Sequence, residues 1–203
     1  MYNERWKHLR DRINLLLENG ISGLILVIAT LFLFLNVRVA FWVTVGIPVS
    51  FLATLAVLYL TGGTINMISL FALIMALGII VDDAIVVGED TLTHLEMGES
   101  AERASVGGAR RMFAPVLASS MTTIAAFLPL TMLHGVMGKI AFDLPVVIIC
   151  VIIASVVECF LILPGHLNHS LRKQKEEKTT GFKANFDRKF VAFREKRLRT
   201  AVD

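Results

Sequence analysis

Residues 39–81 read VAFWVTVGIPVSFLATLAVLYLTGGTINMISLFALIMALGIIV and contain no Lys, Arg, Asp or Glu. The chain of 203 residues is 55% hydrophobic, its mean hydropathy is +0.69, and 18% of its residues are charged. Ordinary globular proteins contain about 25% charged residues. A soluble core cannot hide an uncharged run of this length. The composition therefore excludes a secreted globular domain, a disordered chain and a nucleic-acid-binding module.

Five apolar stretches around this run are long enough to cross a bilayer as helices, which takes about 20 residues each. They are expected near residues 20–37, 39–60, 66–88, 113–133 and 140–163. The predicted fold is an all-α integral membrane protein with a five-helix transmembrane bundle over residues 20–163. The polar segment before it, residues 1–19, does not resemble a signal peptide, and we expect it to be internal to a larger protein.

The distribution of basic residues predicts the orientation. Fifteen of the 20 Lys and Arg lie on the side of the membrane that holds the C-terminal tail, so this side is predicted to be cytoplasmic. Residues 164–181 are predicted to be a polar linker. Four phenylalanines at spacings 4, 4 and 3 then predict a cytoplasmic amphipathic helix over residues 182–203. This helix either binds the inner leaflet through its basic residues or packs on another part of a larger protein.

The third apolar stretch contains two adjacent acids, Asp82 and Asp83, within LIMALGIIVDDAIVVGED (residues 73–90). Each carboxylate in a bilayer is unfavourable by about 2.5–3.5 kcal/mol, and such residues usually serve a function. On a helix both side chains can face a bundle interior. We therefore predict that the pair exchanges protons as one unit and forms a proton relay. The alternative is that the third span ends earlier and the acids lie at the membrane interface.

The relay needs a cation, and no Lys or Arg lies within the five apolar stretches. We therefore expect the cation to come from outside this chain. Possible hydrogen-bonding support for the acids lies on the fourth stretch, although hydroxyl groups in membrane helices often bond their own backbone instead. These support residues are Ser119, Ser120, Thr122 and Thr123.

The remaining chemistry-bearing residues point to packing or to solvent. Asp143 is expected at the interface, and Glu158 is expected to extend toward the inner interface or to pair with a basic residue of the tail. His134 is expected to be solvated in a loop, and Cys150 and Cys159 to be buried apolar residues. No arrangement for catalysis or metal binding is present, so we predict that the protein is not an enzyme and uses protons, but no cofactor or metal.

The run VGIPVSFLATLAVLYLTGGTINMISLFALIMALGIIVDDAIVVGED resembles membrane helices of the resistance-nodulation-division (RND) transporters. The similarity is greatest to their AcrB-like hydrophobe/amphiphile efflux branch. It continues through FAPVLASSMTTIAAFLPLTMLHGVMGKI to LPGHLNH and covers about residues 20–170. The family pattern usually continues with Val-Glu-Asn after the Asp doublet, where this chain has Gly88-Glu89-Asp90.

The resemblance implies that the five stretches are helices two to six of a twelve-helix, proton-driven exporter. Asp82 and Asp83 match the family's proton-translocating pair, and the partner lysine belongs to the second membrane half. It further implies a trimer in the bacterial inner membrane, working with a periplasmic adaptor and an outer-membrane channel on drug-like substrates. The expected partners are therefore membrane lipid and the remainder of the transporter, and not nucleic acid. The alternative is a non-transporting membrane scaffold or sensor with a similar bundle.

Overall fold

The structure, a computed structural model, describes residues 2–135, 138 and 141–172, and within them the chain contains no strand. Its helices are α1 (Tyr2–Phe34), α2 (Val37–Leu60), α3 (Met67–Glu96), α4 (Ala101–Thr131), α5 (Asp143–Val157), a π-helical turn (Glu158–Ile162) and α6 (Leu163–Arg172). Five stretches of this part of the chain are long and apolar enough to cross a membrane: Arg10–Phe34, Val37–Leu60, Met67–Glu96, Ala101–Thr131 and Asp143–Arg172. The predicted all-α bundle with five spans is confirmed.

The first helix begins earlier than predicted. The polar residues assigned to a separate segment, 1–19, are helical from Tyr2 and continuous with the apolar span. This segment is rich in Leu, Arg, Glu and Asn and contains no proline, and the single Gly20 disfavours a helix by only about 1 kcal/mol. The prediction that this segment is separate from the first span was therefore wrong.

The last span ends later than predicted. We expected it to stop at Pro164-Gly165, but helix α6 continues to Arg172, because the chain adjusts its hydrogen bonding just before the proline. Pro164 has no N–H group to donate to a carbonyl four residues earlier. Glu158–Ile162 form the π-helical turn, and the Leu163 N–H that follows it donates to the Glu158 carbonyl. The amphipathic helix predicted over residues 182–203 lies outside the described residues.

Helix α3 is the centre of the bundle and contacts α1, α2, α4 and α5. Small residues on α3 permit this close packing, since Ala72 and Ala76 are completely buried. Helix α1, by contrast, packs mainly on α2 and α3 among the described helices, and apolar side chains such as Ile25 and Leu26 are largely exposed. An exposed apolar surface of this kind is expected for a bundle whose solvent is lipid.

Contacts between helix ends show that successive helices alternate in direction. At one end, an Nη of Arg38 donates to the Ser170 carbonyl oxygen at 2.9 Å, and Trp42 stacks on His166 with ring centroids 4.0 Å apart. At the opposite end, the Asn66 amide donates to the Asp143 carboxylate. Helix α2 therefore runs antiparallel to α5 and α6, as the predicted up-and-down threading requires.

Replacing Asn66 by alanine should lower the stability of the bundle by about 1 kcal/mol, the usual effect of removing a helix N-cap. The Asn66 Oδ1 accepts from the N–H groups of Ile68 and Ser69, and the Ser69 hydroxyl accepts from the Asn66 N–H, which completes a capping box. Unfolding of the protein in mixed micelles measures the change. Asn66→Asp, which keeps a capping oxygen, should retain the cap but place a second carboxylate beside Asp143.

Candidate functional site

Asp83 lies near the middle of α3, at its contacts with α4 and the π-helical turn. Its side chain is 8% exposed. Ala84 and Val87 on the same helix are also buried, so the acid belongs to the face of α3 that packs inside the bundle. Helix α3 continues past both acids without a break and ends at Glu96.

One hydroxyl group of helix α4 reaches this acid. The Ser120 Oγ donates to the Asp83 Oδ2 at 3.4 Å, and Ser120 is itself buried. This hydrogen bond joins the centres of α3 and α4. A hydroxyl group can donate to an ionised carboxylate and accept from a protonated one, so Ser120 can hydrogen-bond Asp83 in either protonation state.

The other three hydroxyl groups predicted to support the acids do not contact them. Each donates to a carbonyl oxygen of its own helix: Ser119 to Val116 at 2.9 Å, Thr122 to Ala118 at 2.8 Å and Thr123 to Ser119 at 3.0 Å. This is the usual behaviour of hydroxyl side chains in membrane helices. Ser119 and Thr122 are exposed, and Thr123, which shares a helix face with Ser120, is half-buried.

The π-helical turn also contacts α3 at this acid. The Cys159 thiol donates to the backbone carbonyl of Asp83 at 3.4 Å, and its side chain is completely buried. Thiols are weak donors, so this hydrogen bond adds little to the stability of the bundle. It fixes the π-helical turn against the segment of α3 that carries the acid.

Asp82 occupies a different environment from its neighbour. It is exposed on the described surface and lies at a groove of about 220 Å³ between α1 and α3, with Leu26, Thr30 and Gly78 in the lining. Among the described residues, Asp83 therefore faces the bundle interior, whereas Asp82 does not. The helical offset of about 100° between successive residues accounts for the difference.

Sequence reasoning expected Glu158 to extend toward the inner interface or to pair with a basic residue of the tail, which lies outside the described residues. Glu158 is 6% exposed and faces α2. An added Cβ at Gly46 would lie 2.7 Å from the Glu158 Cδ, which means that the carboxyl group rests directly on this glycine. The pairing of Glu158 with Gly46 joins two helices that are far apart in sequence, so no local pattern could reveal it.

The other singled-out residues serve structure or lie at the surface. Asp143 begins α5 and accepts from Asn66, so its contact joins two helix starts. His134 is exposed, as expected. Cys150 and Cys159 are both free thiols, one half-buried and one buried. Within residues 2–135, 138 and 141–172, no group of three or more His, Cys, Asp or Glu is arranged to hold a metal ion.

Replacing Asp90 by asparagine should lower stability by less than about 1 kcal/mol, as expected for a half-exposed ion pair. The Asp90 carboxylate bonds an Nη of Arg111 at 2.7 Å and its Nε at 2.8 Å, which joins α3 to α4 near the predicted cytoplasmic side. Unfolding in mixed micelles is again the measurement, with Glu96→Gln as the control at an exposed acid of the same helix. A loss of several kcal/mol would show that the pair is a main support of the bundle.

The helices and the buried acid define a multi-pass membrane protein with an ionisable group at its centre, and comparisons with known proteins identify its family. The AcrB/AcrD/AcrF family profile matches residues 3–200. Multidrug resistance protein MdtC of Escherichia coli O139:H28 is 34% identical over 166 residues, 80% of this chain and 16% of that protein. MdtC of Enterobacter sp. strain 638 is 36% identical over 176 residues, 86% of this chain and 17% of that protein. MdtC of Yersinia enterocolitica serotype O:8 is 37% identical over 161 residues, 77% of this chain and 16% of that protein.

The chain belongs to the AcrB/AcrD/AcrF family and is a membrane portion of an RND transporter. It spans about 16% of the length of the curated relatives it matches. The resemblance inferred from the Asp doublet and its flanking helices is thereby confirmed.

Proposed function

We propose that this chain supplies helices two to six of a proton-driven RND exporter and that Asp82 and Asp83 carry its protons. The observation that carries the proposal is the position of Asp83, an acid buried inside the bundle and hydrogen-bonded to Ser120 on a neighbouring helix. A buried charge without a compensating partner destabilises its surroundings. A change in the protonation of Asp83 can therefore favour one packing of these helices over another.

In this mechanism Asp82 and Asp83 have different roles. Protonated Asp83 is neutral and is compatible with the close packing of α3 against α4 and α5. Ionised Asp83 accepts from Ser120 and needs a cation, which the family resemblance places on the second membrane half. Asp82 faces the groove beside α1, on the side of α3 that the described helices leave exposed, and would receive or pass on the proton there.

The proposal extends to the whole transporter. It is multi-pass in the bacterial inner membrane, assembles as a trimer with its second membrane half, and works with a periplasmic adaptor and an outer-membrane channel. Its substrates are drug-like amphiphiles, in keeping with the name of the MdtC relatives. Protons are the coupling ion, and the proposal includes no cofactor, no catalysis and no nucleic-acid partner.

Collapse of the proton gradient tests the proposal against the alternative of a non-transporting scaffold or sensor. Cells that express the complete protein containing this segment are loaded with a fluorescent amphiphile, and its export is followed before and after an ionophore is added. Cellular ATP is kept constant as the control. Export should stop with the gradient. Export that continues unchanged would contradict proton coupling, and absence of export at any gradient would favour the scaffold or sensor.

A further inference from the structure

Glu158 is a buried acid that the proposed relay does not use. It lies on the π-helical turn, and its side chain forms no hydrogen bond or ion pair with any residue that the structure describes. An ionised carboxyl group without a partner is strongly unfavourable in an apolar interior. The π-helical turn is itself informative, because such turns within α-helices occur frequently at functional sites.

The surroundings of Glu158 form a small site rather than a continuous apolar core. The carboxyl group rests on Gly46 of α2, where an added Cβ would lie 2.7 Å from its Oε1 and 2.8 Å from its Oε2. Beside it lies a cavity whose lining includes two buried serines, Ser50 on α2 and Ser155 on α5. The cavity therefore brings Glu158 and two serines together within a mostly apolar lining.

The size of the cavity limits what Glu158 can bind. Its volume is about 10 Å³, and even one water molecule needs roughly 10–15 Å³ measured in this way. A sodium ion with its remaining waters therefore does not fit beside the carboxyl group. A proton, which needs no additional volume, is the cation that this site can take up.

The elements that pack around Glu158 carry several titratable groups, among them Arg38 on α2, Asp82 and Asp83 on α3, and Asp143 on α5. Helix α3 contributes Asp83, and the π-helical turn contributes Cys159, whose thiol donates to the Asp83 carbonyl. Helix α2 has no Asp, Glu, Lys, Arg or His from Val39 to Leu60, and α4 has none from Met112 to Thr131. On α6 the nearest such residue in sequence is His166, which is stacked on Trp42. No Lys or Arg of these segments can therefore compensate an ionised Glu158.

We propose that Glu158 is a second proton-binding site of this membrane domain, separate from the Asp82-Asp83 pair, at the contact between α2 and the π-helical turn. Ionisation there would press a charge against Gly46 and weaken the contact between the two helices, whereas protonation would restore it. Because Cys159 joins the same turn to Asp83, the state of one acid would influence the position of the other. The place of Glu158 in transport rests on the proposed function, whereas its proton binding does not.

Infrared difference titration of the complete protein in lipid vesicles tests the proposal through the carbonyl band of a protonated carboxyl group. The wild-type protein should show a band that disappears as the pH is raised and that Glu158→Gln removes. Glu89→Gln, at an exposed acid, should leave the band in place. Asp83→Asn should also retain it, so the measurement remains valid even if Asp83 proves unnecessary for transport.

Two further variants protect the test against misfolding of Glu158→Gln. Glu158→Asp keeps an acid but shortens it, and Gly46→Ala adds a methyl group against the carboxyl group, so each should shift the band rather than remove it. The proposal is overturned if Glu158→Gln removes no component of the pH-dependent band that Asp83→Asn retains, if no such band is present, or if neither of these two variants shifts it. A band that responds to sodium at constant pH would overturn it as well, since the site would then bind a metal ion.

Discussion

Replacing Asp83 by asparagine is expected to abolish proton-coupled export by the complete transporter. Asparagine is similar in size to aspartic acid and can still hydrogen-bond Ser120, but it cannot bind or release a proton. Removal of a group that transfers a proton commonly lowers a rate by about 10²–10⁴-fold in enzymes, and we expect a loss of at least the smaller size here. Export of a fluorescent amphiphile from cells, normalised to the amount of inserted protein, is the measurement.

Three companion variants separate the parts of this site. Asp82→Asn should also abolish export, because the two acids are proposed to act as one unit. Ser120→Ala should lower export by less than about tenfold, since one long hydrogen bond contributes on the order of 1 kcal/mol. Thr122→Ala is the control on α4, because Thr122 bonds only its own helix among the described residues. Undiminished export by both Asp variants would refute the relay.

Replacing Gly88 by alanine is expected to destabilise the bundle by about 1–3 kcal/mol, the usual effect of overpacking a core. An added Cβ at Gly88 would lie 2.6 Å from Cγ1 of Val39, a completely buried residue on α2. Valine is branched and stiff, so the clash requires α2 and α3 to separate. Unfolding of the protein in mixed micelles measures the loss. Glycine at position 88 therefore permits a close contact between α2 and α3.

The chain provides both a matched control and a rescue for this change. Gly78→Ala is the same substitution on the same helix, but no atom lies within 4 Å of the added Cβ. It should be neutral or slightly stabilising, because alanine favours a helix over glycine. The double variant Gly88→Ala/Val39→Ala should lose less stability than the sum of the losses of the two single variants, because alanine at position 39 makes room for the added methyl group. Equal destabilisation by Gly88→Ala and Gly78→Ala would show that position 88 is not a tight contact.

The spans and the buried acid could be predicted because their signals are local. Hydrocarbon excludes charge, so the uncharged residues 39–81 were predicted to cross the membrane. Asp83 is a charged residue within such a stretch, and charged residues there usually serve a function. Helix ends were less predictable. Helix propensity carries α1 through the polar residues after Tyr2, and the π-helical turn lets the last helix continue past Pro164.

The tertiary arrangement of the site could not be predicted from one sequence. Choosing Ser120 from four hydroxyl residues required the rotation of α4 about its axis, which a helix of mostly apolar residues does not reveal. The contact between Glu158 and Gly46 depends on how α2 lies against the π-helical turn, and the residues are far apart in the chain. The opposite environments of Asp82 and Asp83 depend on where the neighbouring helices pack around α3.

The most direct test of proton coupling is movement of protons driven by substrate in vesicles that contain the purified complete protein. A pH gradient is imposed across the membrane, and a dye inside the vesicles reports its decay before and after an amphiphile is added. We predict that the amphiphile accelerates the decay with the wild-type protein and has no effect with Asp83→Asn. Equal acceleration by the two proteins would contradict the assignment of Asp83 as a proton carrier.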